Sequence, residues 1–479
     1  MATKTTNISR SIMKAMGIFG GVQMLSIICS IVRTKLVAIW IGPMGVGLFG
    51  LYNSALDMIN TISGLGIRNS SVRDISLAHG NGESSLIARM VAVVRRWSLF
   101  LGLAGALLTL CASPALSRIV FGDFDHIWGF VALSVAVLIF SLTNGEFSIL
   151  NGTAKLRRLA SATVWGVASG LVISIPLYYF LRVNSIVPAI IAYTASCGFF
   201  AWLFRNKDYS KEPVNMSARE TFDMGKGFAR LGIFMTLSTF VSQISSFIFM
   251  AYLNHTASTE TVGFYKAGYT IVDQYGGLIF SAIGVEYYPR LVQLCRSKMR
   301  LRIFVSQEIN ILLLVLVPCI SLFLIFRSLV VSILYSGKFM VIVPFISWAI
   351  MGTIFRAVSW CIAFVILAKG SGKIYLITET LSAISGLVFN IVFYQLWGLE
   401  GFGIAFIAWY VLYTVIVGFV YYRTYHLHLH RSIAYSTSAA VVCSVAIFLA
   451  MNTGMIAVAV IISVATIVFC LVRLRKMLA

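Results

Sequence analysis

The chain runs to 479 residues, 59% of them hydrophobic and only 11% charged, with a mean hydropathy of +0.91. A soluble protein carries about 25% charged residues, so this composition excludes one and reads as a polytopic membrane protein with almost no soluble domain. The formal charge of +21 would point to nucleic acid in a soluble chain; here the distribution of the cations, given next, removes nucleic acid as a partner.

The N-terminus MATKTTNISRSIMKAMG is basic but lacks a short apolar stretch ending in small residues, so no cleavable signal is evident and the first span is expected to stay. Apolar runs of bilayer-crossing length place about fourteen spans, near 12–41, 46–66, 97–117, 127–150, 159–180, 185–203, 229–252, 262–285, 303–326, 340–368, 374–394, 401–421, 433–451 and 454–472. With both termini in the cytoplasm, 29 of the 37 Lys+Arg fall in cytoplasmic segments. The outer loops hold Arg118, Arg182, Arg327 and Lys338, and four cations lie within spans: Arg33, Lys35, Lys266 and Arg356. The basic excess is therefore topology, in line with the positive-inside rule.

In the first span, SIICSIVRTKLVAIWIG puts Arg33 and Lys35 in a run that belongs in lipid, where a cation costs a few kcal/mol, roughly 2.5–3.5. Two residues apart, they point about 200° apart on a helix and cannot both face one cavity. Either the core ends near Ile31 and both decorate the outer interface, or one, Arg33 for preference, faces inward as an anion contact. The apolar AIWIG that follows favours the second. Guanidinium suits phosphate because it is bidentate and always charged.

Asp57 lies midway along span two and Asp273, beside Gln274, midway along span eight; Arg356 is near the centre of span ten and Glu379 near the start of span eleven. Glu146 and Glu308 sit near cytoplasmic ends, where hydration accounts for them, and Lys266 can snorkel. The set expected to bind substrate is Arg33, Lys35, Asp57, Asp273, Gln274, Arg356 and Glu379. Tyr52, Tyr265, Tyr269, Tyr275, Trp348 and Trp360 could line a sugar cavity, though packing is the more ordinary use of such rings. No metal site is expected: the eight cysteines are scattered without CxxC spacing, and in YHLHLHR only His426 and His430 share a helix face. No GxxxxGK[ST] loop occurs, so no nucleotide or other cofactor is expected and energy must come from a gradient.

The chain is also duplicated. VGLFGLYNSALDMIN (46–60) lies on VGFYKAGYTIVDQYG (262–276) at an offset of 216, which also carries Asp57 onto Asp273, Lys14 onto Arg230 and Ser169–Val172 onto Ser385–Val388. Six spans per copy make the repeats parallel. The expected domains are a six-helix lobe over 1–203, a cytoplasmic linker over 204–228, a second six-helix lobe over 229–432, and two additional helices with a basic tail over 433–479. The lobes are expected to face each other across a central cavity, bringing Asp57 and Asp273 together.

IGPMGVGLFG (41–50), VGFYKAGYTIVDQY (262–275), EYYPRL (286–291), LYSGKF (334–339) and LAKGSGKIYLITE (367–379) resemble the multidrug/oligosaccharidyl-lipid/polysaccharide exporter superfamily. Within it the chain is similar to Wzx-type flippases, the group of O-antigen translocases and lipid III flippases of enterobacterial common antigen. The resemblance covers nearly the whole chain through individually loose motifs; Thr353 stands where that group tends to carry an aspartate. It implies a transporter, not an enzyme, in the bacterial inner membrane. Such a protein moves undecaprenyl-diphosphate-linked oligosaccharide to the outer leaflet by alternating access, with membrane lipid, a polysaccharide polymerase and a chain-length regulator as partners. The competing readings are an ion-coupled drug antiporter of the same superfamily, which would want an acidic cavity, and a membrane glycosyltransferase, which would want a long catalytic outer loop.

Overall fold

The structure, a computed structural model, describes residues 2–64, 67–80, 83–208, 217–295 and 297–478. Side chains are described from Gly20 onward except at 67–70, 80, 218, 223–235, 274–275, 285 and 478. Among the described residues there are fifteen α-helices and no strand. Helices are the natural solution in lipid, where every backbone N–H and C=O must be satisfied within its own segment.

The first seven are α1 (Ala2–Trp40), α2 (Pro43–Gly64), α3 (Ile67–Gly80), α4 (Ser84–Phe121), α5 (Ile127–Gly152), α6 (Leu156–Leu181) and α7 (Ile186–Leu203). They are followed by α8 (Ala218–Thr256), α9 (Thr259–Tyr269), a π-helical segment over Thr270–Tyr275, α10 (Gly277–Leu294) and α11 (Lys298–Leu334). The last four are α12 (Val343–Ala368), α13 (Gly372–Arg423), α14 (Arg431–Asn452) and α15 (Ile456–Leu478). Gly398, at φ +58° and ψ −138°, breaks α13 into two helices; that backbone is open to glycine at little cost.

Ten helical stretches among the described residues are long and apolar enough to cross a membrane, so the chain is a multi-pass membrane protein. Two of them, 156–203 and 372–423, each hold two of the expected spans. The expected span at 46–66 is covered by α2 as far as Gly64, and that at 262–285 by α9, the π-helical segment and the start of α10; neither is among the ten. In the first, polar residues such as Asn53, Asp57 and Asn60 dilute the apolar character of α2; the second is divided by the π-helical segment that carries Asp273. Length and apolarity alone thus do not reach the expected fourteen.

The duplication shows in the helix boundaries. α1, α2, α5 and α6 begin at 2, 43, 127 and 156; α8, α9, α12 and α13 begin at 218, 259, 343 and 372, each 216 residues later. The second copy of α2 is not a plain helix: its counterpart is interrupted by the π-helical segment around Asp273. The expected linker over 204–228 is helical from Ala218, where Ser217 caps α8 in a reciprocal capping box with Glu220.

Two compact units result, Met1–Val262 and Gly263–Ala479. The first takes in α8, which the repeat makes the counterpart of α1. Arg96 Nη1 and Trp97 Nε1 donate to Thr221 at 2.8 and 2.9 Å, and at the other end Asn254 Nδ2 donates to the Val120 carbonyl at 2.9 Å. In the second unit α12 is the most enclosed helix and packs closely on α13. Gly352 and Gly403 permit it: a Cβ on Gly352 would lie 2.7 Å from the Phe406 ring, and one on Gly403 would strike the Phe345 carbonyl.

Candidate functional site

In the first unit the site starts from one face of α1. Cys29 and Val37, one turn either side of Arg33, are buried at 9% and 2% exposure, so the i, i+4 face that carries them turns Arg33 inward. Its guanidinium carbon lies 4.9 Å from the Phe49 ring centroid and 4.5 Å from that of Tyr193, a clamp of two ring faces favourable to a cation. Arg33 faces a cavity of about 300 Å³ walled by α1, α2, α5, α6 and α7. Asn53, Asp57 and Asn60 line it from α2, Thr143 and Asn144 from α5, and Tyr193 and Thr194 from α7.

The Nε of Arg33 is buried and has no hydrogen-bond partner among the described residues, and the same is true of Asn60 Oδ1. Leaving such a group unmade costs roughly 1–3 kcal/mol, more for a charged one. No salt bridge to Arg33 occurs among the described residues, although Asp57 lines the same cavity. Lys35 is half-buried and is not among the lining residues, as its position across the helix requires.

In the second unit Arg356, on α12, forms a salt bridge from Nη1 to Asp273 Oδ1 at 2.8 Å, and the same Nη1 lies 3.4 Å from the Asp273 carbonyl oxygen. The guanidinium sits 5.1 Å from the Phe280 ring centroid and 5.6 Å from that of Tyr410. The carboxylate arrives there from the π-helical segment, a winding often found at functional sites. Glu379, on the first half of α13, accepts a hydrogen bond from Tyr413 on the second half. The side chain of Gln274 lies outside the described residues.

The structure thus joins Arg33 with Asp57 at one cavity and Arg356 with Asp273 in one ion pair, and ties Glu379 to Tyr413. Thr353 is 1% exposed and donates to the Ile350 carbonyl within its own helix. Tyr193, Tyr410 and Tyr413 were not singled out by sequence; in a chain with 20 tyrosines nothing short of the fold marks these three as meeting charged groups. The rings that were singled out mostly pack on other rings: Tyr52 on Phe121 and Phe130, Tyr265 on Phe402, Trp360 on Tyr287. Glu146 has a partner beyond water, bonded by Arg95 at 2.6 and 3.1 Å. Among the described residues no group of three His, Cys, Asp or Glu could hold a metal ion, and His430 caps α14 by accepting from the Ser432 N–H.

Among curated proteins, the Lipid III flippase of Escherichia coli (strain K12) is 23% identical over 391 residues, covering 79% of this chain and 90% of that protein. The corresponding Lipid III flippase of Shigella flexneri matches over the same extent. Among solved structures, the lipid II flippase MurJ in an inward closed conformation superposes with a TM-score of 0.70 at 12% identity, covering 96% of this chain and 99% of that one. An inward-facing multidrug resistance MATE family transporter of the MOP superfamily gives a TM-score of 0.68 at 18% identity, covering 87% and 96%. These likenesses show that the chain has the fold of those transporters. Residues 86–344, more than half of the chain, match the family of polysaccharide biosynthesis proteins, and the chain belongs to that family.

Proposed function

We propose that the chain is a flippase that carries undecaprenyl-diphosphate-linked oligosaccharide from the cytoplasmic to the outer leaflet of the bacterial inner membrane. The observation that carries this reading is Arg33: a guanidinium fixed between two rings, facing a cavity that Asn and Thr side chains also line, with a buried donor left unsatisfied. A group of that kind calls for an anion, and a diphosphate offers oxygens that guanidinium can hold two at a time. The amides of Asn53, Asn60 and Asn144 around it suit sugar hydroxyls. The likeness to the lipid III flippases supports the same substrate class. Transport would expose the held head group first to one face of the membrane and then to the other, driven by a gradient. A polymerase and a chain-length regulator would act on the delivered glycan.

Asp57 on the same cavity favours a second reading, an ion-coupled antiporter of cationic drugs. Reconstitution separates the two. Proteoliposomes holding the protein should flip a fluorophore-tagged undecaprenyl-diphosphate-linked oligosaccharide, read as protein-dependent loss of shielding from an impermeant quencher, and cationic aromatics should not compete. Uptake of such drugs under a proton or sodium gradient, with no lipid flipping, would establish the antiporter instead.

Orientation is open to a separate measurement. Cysteines introduced at His255, Lys338 and Glu400, all exposed, should react with an impermeant maleimide added outside intact spheroplasts. Labelling only after lysis would invert the proposed topology.

A further inference from the structure

Arg33 and Arg356 stand in opposite conditions. Arg33 faces a cavity with an unsatisfied donor, whereas Arg356 is already occupied by Asp273. We propose that Asp273 is an internal counter-ion that keeps Arg356 from anions in the empty protein, and that the diphosphate of the lipid-linked head group gains Arg356 by displacing it. This rests on the flippase reading and gives the second unit a regulated anion contact of its own.

Four features of the pair support exchange over a fixed structural role. Both contacts to Asp273 leave from Nη1, so the carboxylate does not make the two-point fork that a phosphate can offer. The rings of Phe280 and Tyr410 hold the guanidinium independently of the carboxylate, so Arg356 can stay in place when Asp273 leaves. Asp273 lies in a π-helical segment followed by Gly276 and Gly277. Rewinding one residue of that segment toward α geometry turns its side chain by about 100°, enough to carry the carboxylate away from the pair. Both side chains retain some accessibility, 17% for Arg356 and 25% for Asp273, so an incoming anion has a route to them.

The test is equilibrium binding of undecaprenyl diphosphate to the full chain in nanodiscs. Asp273→Asn should bind at least about tenfold tighter than wild type while flipping no faster. A folded Asp273→Asn protein with unchanged affinity, whose binding still depends on Arg356, overturns the counter-ion role alone. Absence of binding in wild type and in Asp273→Asn overturns the flippase reading together with it. Should the Asn variant not fold, wild type answers the question through dicyclohexylcarbodiimide: a carboxyl that leaves its ion pair for an apolar setting takes up a proton and adds across the reagent's C=N bond, giving an O-acylisourea. Modification at Asp273, read by peptide mass spectrometry, should rise when undecaprenyl diphosphate is added. Saturating ligand with no rise at Asp273 overturns the proposal.

Discussion

Replacing Arg33 by alanine is expected to abolish export of the surface glycan while leaving the amount of protein in the membrane and its melting temperature almost unchanged. The first half follows from what the side chain offers. A hydrogen bond to a charged group contributes roughly 1.5–3 kcal/mol, so losing a two-point contact to phosphate should weaken head-group binding by about 100-fold or more. The second half follows from what the side chain lacks. Arg33 has no salt bridge among the described residues, so its removal strands no buried carboxylate, and its contacts to Phe49 and Tyr193 are worth about 1–2 kcal/mol. Arg33→Lys should retain part of the function, because a point charge remains without the planar fork. Export is read from the surface polysaccharide on gels, and stability from melting of the purified protein.

Arg356→Ala should behave differently: it should lose export and also destabilise the protein. Here the partner is Asp273, largely withdrawn from solvent, and removing one member of a buried pair typically costs about 3–5 kcal/mol because the other is left uncompensated. With a quarter of the Asp273 side chain still accessible, the lower end of that range is expected. The double variant Arg356→Ala/Asp273→Asn should regain most of the lost melting temperature, since neither charge is then stranded, and should still fail to export. Recovery of export in the double variant would show that the pair serves only to hold the fold.

Much of the architecture is legible in the sequence because the membrane imposes it. An apolar run of about 20 residues has few options in lipid, and an ionisable residue within one stands out against its neighbours. That contrast marks Arg33, Asp57, Asp273, Arg356 and Glu379 before any fold is known. The offset of 216 is legible for a similar reason: repeats that must span the same bilayer keep their helix lengths, and the helix starts repeat at that spacing.

What escapes the sequence depends on the third dimension. Arg33 and Lys35 stay ambiguous because both lie in the same apolar run; the deciding fact is that Cys29 and Val37 are buried on the Arg33 face while Ile39, on the Lys35 face, is 52% exposed. Helix α3, IRNSSVRDISLAHG, is too short and polar to announce itself, yet Ile75 and Ala78 anchor it in the first unit's core at 0% and 3% exposure. The grouping of α8 with the first unit arises from contacts such as Trp97 with Thr221 and Phe222, which join residues far apart in the chain. The π-helical winding at Asp273 has no signature in TIVDQY that would separate it from an ordinary turn of helix.

The most direct test of the account is to locate the head group itself. A cryo-electron microscopy map of the protein in nanodiscs loaded with undecaprenyl diphosphate should show phosphate density within hydrogen-bonding distance of the Arg33 guanidinium, between the Phe49 and Tyr193 rings, and no such density in Arg33→Ala. Density for the diphosphate elsewhere, with the Arg33 cavity unchanged on loading, would contradict it.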